Sequence, residues 1–117
     1  MMEAIHHKIK GEKTMNNLKQ RESVICKLAD TDPIAAKALR LMAVRFDDAG
    51  FAHAFLIGAI YIERRSEHVW QLALRGHISE STAYRYRRRY IETFYRFYRK
   101  LLENRPGTDF RAANGQG

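Results

Sequence analysis

Residues 79–89 read SESTAYRYRRR and hold Ser79, Ser81, Thr82, Tyr84 and Tyr86 with four arginines. A guanidinium is permanently charged and presents a planar fork of donors that matches phosphate oxygens or a guanine edge. The hydroxyls can bond phosphates, which positions a partner without reading its sequence. Catalytic chemistry is not indicated. Ser79 and Ser81 have no companion base at motif spacing, the acids are scattered, and there is no glycine-rich phosphate loop. His6 and His7 are adjacent but lack a matching cluster of cysteines or histidines, so no metal, cofactor or enzyme activity is expected.

The elements that must position these groups follow from local physics. Ser79 is a good N-cap, because its hydroxyl can accept from a free N–H of the first turn. Glu80 stands where the helix dipole favours an acid. Ile78 precedes the cap and can pack back onto Ala83 or Tyr84. Gly76 suits the end of the preceding helix, where a left-handed residue is usually needed. Two helices therefore meet across about three residues, 77–79. Ala73 and Ala83 are small where the two helices come close, and Tyr86 follows Ala83 on the inward face. The other face carries Ser79, Ser81, Thr82, Tyr84, Arg85, Arg88 and Arg89.

The run ISESTAYRYRRR resembles the helix-turn-helix of bacterial and phage regulators and of site-specific recombinases. The shared pattern is an apolar residue, Ser, two variable residues, Thr, a small residue, an aromatic and Arg. The resemblance covers residues 69 to about 90. It departs at one point: the usual turn glycine comes one residue early, as Gly76, and His77 fills its slot. The resemblance implies that the first turns of the second helix enter the major groove of double-stranded DNA. Ser81, Tyr84, Arg85 and Arg88 would then face base edges or phosphates, and Ser79, Thr82 and Arg89 phosphates.

Composition agrees with such a partner. The chain has 117 residues, enough for one domain, and a net charge of +8. That excess favours nucleic acid or another acidic surface. Cys26 is the single cysteine, so no internal disulfide can form and a reducing cytoplasm is expected. Cys26 itself reads as a small buried apolar group. The N-terminal segment lacks an apolar core, so no secretory leader is expected.

The fold class expected is all-α: a compact helical domain of about five helices, with the second helix of the motif extended at its C-terminal end. Residues 1–17 read as a flexible basic arm, 18–105 as the helical DNA-binding domain and 106–117 as a disordered tail. A short helix is expected over 18–29, with Leu18, Val24, Ile25, Leu28 and Ala29 on its apolar face. Asp32 caps a second helix and Pro33 opens it, with Ile34, Ala35, Ala38, Leu41, Met42 and Phe46 inward. Asp48 is expected to cap a third, over 51–62, that is apolar nearly all round and too short to span a membrane. His53 inside it reads as a satisfied or interface histidine. Ser66 with Glu67 can start the first helix of the motif, where Trp70 reads as a core anchor.

After Tyr86 nothing stops the helix before Pro106. Its second half carries Tyr90, Ile91, Phe94, Tyr95, Phe97, Tyr98, Leu101 and Leu102, a stripe too wide to leave wet. The stripe is either intramolecular core or a homodimer interface, and a symmetric dimer would set two basic helices about one DNA turn, ~34 Å, apart. The function expected is that of a homodimeric transcriptional regulator, with a component of the transcription machinery as a further protein partner. A DNA-binding accessory role in partition, packaging or replication is the nearest alternative. A basic aromatic helix that binds an acidic protein or a membrane surface is the alternative of a different class.

Overall fold

A computed structural model describes residues 2–104, with side chains from residue 17 onward. The described residues form five α-helices and no strand: α1 (Met2–Thr31), α2 (Pro33–Asp47), α3 (Phe51–Ile57), α4 (Val69–Gly76) and α5 (Glu80–Asn104). One π-helical turn, Gly58–Ile62, continues α3. The backbone of the segment expected as an arm is thus helix, and the helix expected over 18–29 is the end of a longer one. No proline interrupts the chain before Pro33, so helical hydrogen bonding can continue through it. The expected tail, 106–117, lies outside the described residues.

The α1–α2 junction forms as the sequence implies. Asp32 Oδ1 accepts from Ile34 N–H at 2.9 Å, and Pro33 occupies the first turn. Ala35, Ala38, Leu39, Met42 and Phe46 are the buried face of α2, whereas Ile34 and Leu41 are only half-buried. On α1 the inward side is Leu18, Glu22, Ile25 and Cys26; Val24 is exposed. Cys26 is buried as expected, and its thiol points at the Ile60 carbonyl.

The α2–α3 connection departs from expectation. Asp48 ends α2, and Gly50 at φ +128° precedes α3 without any side-chain cap. A φ in that range suits a residue lacking Cβ, which leaves Asp48 no place in the cap position. Leu56, Ile57, Ala59, Ile60 and Tyr61 are buried, but Phe51 and Ile62 at either end are exposed. The helix ends in a wide turn, with Glu63 N–H bonding Gly58 O and Arg65 N–H bonding Ala59 O. Residues 63–68 then belong to no regular element, with Arg64 at φ 56°. The start of α4 is therefore two residues later than Ser66 suggested: His68 precedes it, and Gln71 Oε1 accepts the His68 N–H at 3.0 Å.

Helix α5 is the element that the others surround. It packs chiefly on α2, and also on α4, α1 and α3. Tyr90, Ile91 and Phe94 are fully buried in this chain's own core, beside Met42, Phe46 and Ile25. Tyr95, Phe97, Tyr98 and Leu101 pack onto that core, and Leu102 is half-buried. Tyr98 Oη donates to Asp32 Oδ2 at 2.6 Å, which ties the far half of α5 to the cap of α2. Of the stripe expected as core or dimer interface, Tyr90, Ile91 and Phe94 thus close intramolecularly, while Tyr95, Phe97, Tyr98, Leu101 and Leu102 stay half-buried. The buried face of α2, the helix that α5 packs on most, includes the small Ala35 and Ala38, and small side chains permit close helix packing.

Candidate nucleic-acid interface

Helices α4 and α5 are joined by a turn of three residues. His77 takes the left-handed conformation, φ 61° and ψ 40°, in place of Gly76, which stays in the helix. His77 N–H bonds Leu74 O, and Ile78 N–H reaches Ala73 O at 3.0 Å, so the last carbonyls of α4 are satisfied. Ser79 then caps α5: its Oγ accepts from Thr82 N–H at 3.1 Å. Ile78 packs with Val69, Ala73, Ala83 and Tyr84 in a small apolar cluster beneath the turn. Ala73 and Ala83 are both buried, as the close approach of two helices requires.

The inward face of α4 is Val69, Leu72, Ala73 and Gly76, the spacing of one helical stripe. Trp70 falls one residue round from it and is 52% exposed; it is not a core anchor. An eight-residue helix has room for one buried stripe, and the four smaller residues occupy it.

Of the seven residues expected to face a partner, Ser79, Ser81, Arg85, Arg88 and Arg89 are exposed. Thr82 and Tyr84 are half-buried, and Tyr84 packs against the cluster below the turn, so its ring serves partly as structure. The three hydroxyls converge. Ser79 Oγ lies 2.9 Å from Thr82 Oγ1 and 3.3 Å from Ser81 Oγ, while Arg85 Nη2 donates to Thr82 Oγ1 at 3.4 Å. The leading turn of α5 therefore presents clustered hydroxyls with arginines behind them.

The arginines of residues 64–89, Arg87 apart, fall into two groups. Arg64 forks onto Asp30 at 2.6 and 2.8 Å, Arg65 bonds Glu63 and Glu67, and Arg75 bonds Glu67. The Asp30 carboxyl is held below its ordinary value by the hydrogen bond from Arg64. Arg85, Arg88 and Arg89, by contrast, have no carboxylate within 4.0 Å among the described residues. Positive charge is thus neutralised around the loop before α4 and left available on α5.

Arg87 breaks the pattern of its neighbours. It is 2% exposed, and its Nε and Nη2 grip the two oxygens of Glu22 at 2.9 and 2.6 Å. Burial pulls its pKa down, but the hydrogen bonds and charge of Glu22 outweigh this and hold it above the ordinary value. The pair was legible in part: Glu22 shares a helical face with Leu18, Ile25 and Cys26, and Arg87 one with Ala83, Tyr90, Ile91 and Phe94.

Behind Arg88 and Arg89 lies a buried aromatic nest. His53 stacks on Tyr86 at 4.1 Å, its Nδ1 sits 2.6 Å from Tyr90 Oη, and Phe46 stands 5.2 Å away. Burial, and then the charge of Arg89, hold the imidazole below its ordinary pKa. Burial raises the pKa of the Tyr90 phenol. His53 is thus a satisfied core histidine that props the helix from within.

No described helix is long and apolar enough to cross a membrane. Compared with known proteins, the chain matches no family model, no curated protein and no solved structure.

Proposed function

We propose that the protein binds double-stranded DNA in a sequence-specific manner, with α4 and α5 acting as a helix-turn-helix and α5 as its recognition helix. The observation that carries this reading is the exposed trio Arg85, Arg88 and Arg89, without carboxylate partners among the described residues, on a helix capped and angled by a three-residue turn. Arg85 and Arg88 sit to read guanine edges, and Arg89 with Ser79, Ser81 and Thr82 to fix phosphates. The mechanism that follows is occupancy: a chain seated on an operator excludes or recruits a polymerase there.

The opposite class of reading, an aromatic helix that docks on a membrane or an acidic protein, would need the aromatic face of α5 outward. Tyr90 and Phe94 are instead sealed in the core. Tyr95, Phe97, Tyr98, Leu101 and Leu102 are half-buried, so the fully exposed surface of α5 is chiefly its basic and polar face, which supports the DNA reading.

Selection from random duplexes, read by sequencing, tests the proposal. A defined motif is expected, and its symmetry reports whether two copies bind half-sites about one turn, ~34 Å, apart. Arg85→Ala and Arg88→Ala should each weaken the selected duplex by about 1–3 kcal/mol while circular dichroism stays that of the parent. Failure to enrich any sequence, or undiminished binding by both variants, overturns the assignment.

A further inference from the structure

The chain has a second concentration of cationic groups, on the buried side of α5. A cavity of about 350 Å³ opens between α1, residues 58–68, α4 and α5. Lys19, Lys27, Arg64, Arg65 and Arg87 all line it. Two carboxylates stand on the same wall, Glu22 and Glu67, and both are already engaged: Glu22 by Arg87, Glu67 by Arg65 and Arg75. Lys19 and Lys27 have no carboxylate within 4.0 Å among the described residues. The wall therefore carries positive charge beyond what its own acids compensate.

One donor makes the case sharper. Arg87 spends Nε and Nη2 on Glu22, but its Nη1, like Tyr61 Oη, is buried with no hydrogen-bond partner among the described residues. A buried charged donor left unmatched is unfavourable, and such groups mark sites that a ligand or ion completes. Ser23 and Ser66 add hydroxyls at the wall, and Ile60 and Leu72 supply an apolar floor. A cavity of this size, apolar beneath and with a few convergent polar groups, has the make-up of a small-molecule site.

We propose that this cavity binds a small organic anion through a phosphate or carboxylate group, held by Lys19, Lys27 and Arg87 with its uncharged body on Ile60 and Leu72. The site is distinct from the Arg85–Arg88 face: Arg87 points inward from α5, where Arg85 and Arg88 point outward. Its binding of an anion does not depend on the DNA reading.

Isothermal titration calorimetry of the full chain at low ionic strength tests this, with citrate and adenosine 5′-monophosphate as probes and adenosine as the uncharged control. Citrate binding would identify a carboxylate site, and the nucleotide a phosphate site. At least one anion should bind the parent, and adenosine should bind far more weakly. Lys19→Ala/Lys27→Ala should weaken the binding about tenfold or more, the effect of losing charge-assisted hydrogen bonds. Ser23→Asp, which sets a carboxylate on the wall, should weaken it as well and serves if the double variant does not fold. Arg85→Ala/Arg88→Ala should leave it within about twofold, since those residues lie on the other face. The proposal falls if neither anion binds the parent, if the wall variants bind undiminished, or if loss follows the Arg85/Arg88 substitutions instead.

Discussion

Arg87 and Glu22 lie 65 positions apart in the chain and join through two hydrogen bonds, at 2.6 and 2.9 Å, in a site nearly closed to solvent. The pair pins the middle of α5 to α1. It makes one inward arginine structural in a run of four whose other members face outward. Breaking a buried pair leaves its survivor uncompensated, which typically costs about 3–5 kcal/mol. Arg87→Met and Glu22→Leu should each lower the urea midpoint accordingly. The double substitution should recover most of the loss, because well-packed apolar groups often replace a buried pair at little net cost. Single variants with the parent's midpoint would show that the pair contributes nothing to holding α5.

The phosphate contacts proposed for α5 would have a salt signature. The logarithm of duplex affinity should fall linearly with the logarithm of salt concentration. Arg89→Ala should reduce that slope by about 0.9, with little change in which duplex is preferred. Fluorescence anisotropy across a salt series measures it. An unchanged slope would remove Arg89 from the phosphate contacts.

His53 gives stability a pH dependence. Its folded pKa is depressed, by burial first and by Arg89 second, while the unfolded chain titrates near the ordinary value, about 6.5. As pH falls through that value the unfolded state takes up a proton that the folded state resists. The His53 contribution is therefore fully present above about pH 7 and declines as pH drops toward the folded pKa. Urea midpoints should decrease between about pH 7.5 and 5.5 in the parent, and less so in His53→Gln, which does not titrate. Equal slopes in both proteins would place the dependence elsewhere.

Two caps should contribute measurably. Ser79→Ala removes the acceptor for Thr82 N–H and should destabilise by about 1 kcal/mol. Asp32→Ala should cost more, since it loses both the Ile34 N–H contact and the bond from Tyr98. Thermal unfolding ranks the two. The reverse order would mean that the Tyr98 contact adds nothing.

His77 holds a left-handed backbone that a residue with Cβ adopts at a cost of roughly 1–2 kcal/mol. Its ring lies 5.8 Å from that of Phe51, a contact that offsets part of this. His77→Gly should leave the turn intact and raise stability by up to about 1 kcal/mol. A marked loss of stability instead would show that the ring contact outweighs the strain relieved.

Local signals announced most of the elements. Asp32-Pro33 marked the start of α2, Ile78-Ser79 the start of α5, and the shortage of breakers the long reach of α5 toward Pro106. Each depends on interactions within a few residues, so a linear reading reaches it. Signals failed where two local options compete. Asp48 and Ser66 could each cap a helix, but Gly50 and His68 hold those positions.

What the amino-acid order determined alone is an all-α chain with an arginine-rich helix, capped at Ser79 after a short turn. Those features follow from propensities, caps and spacing. Only tertiary packing decided which way each face of that helix, and of α4 before it, turned. It sent Arg87 inward to Glu22, Trp70 outward, and Tyr90, Ile91 and Phe94 against α2 rather than a second copy. The reason is that an apolar stripe specifies only that it be covered. Which surface covers it depends on the shape and charge of groups far away in the chain, such as the buried face of α2 and the carboxylate of Glu22.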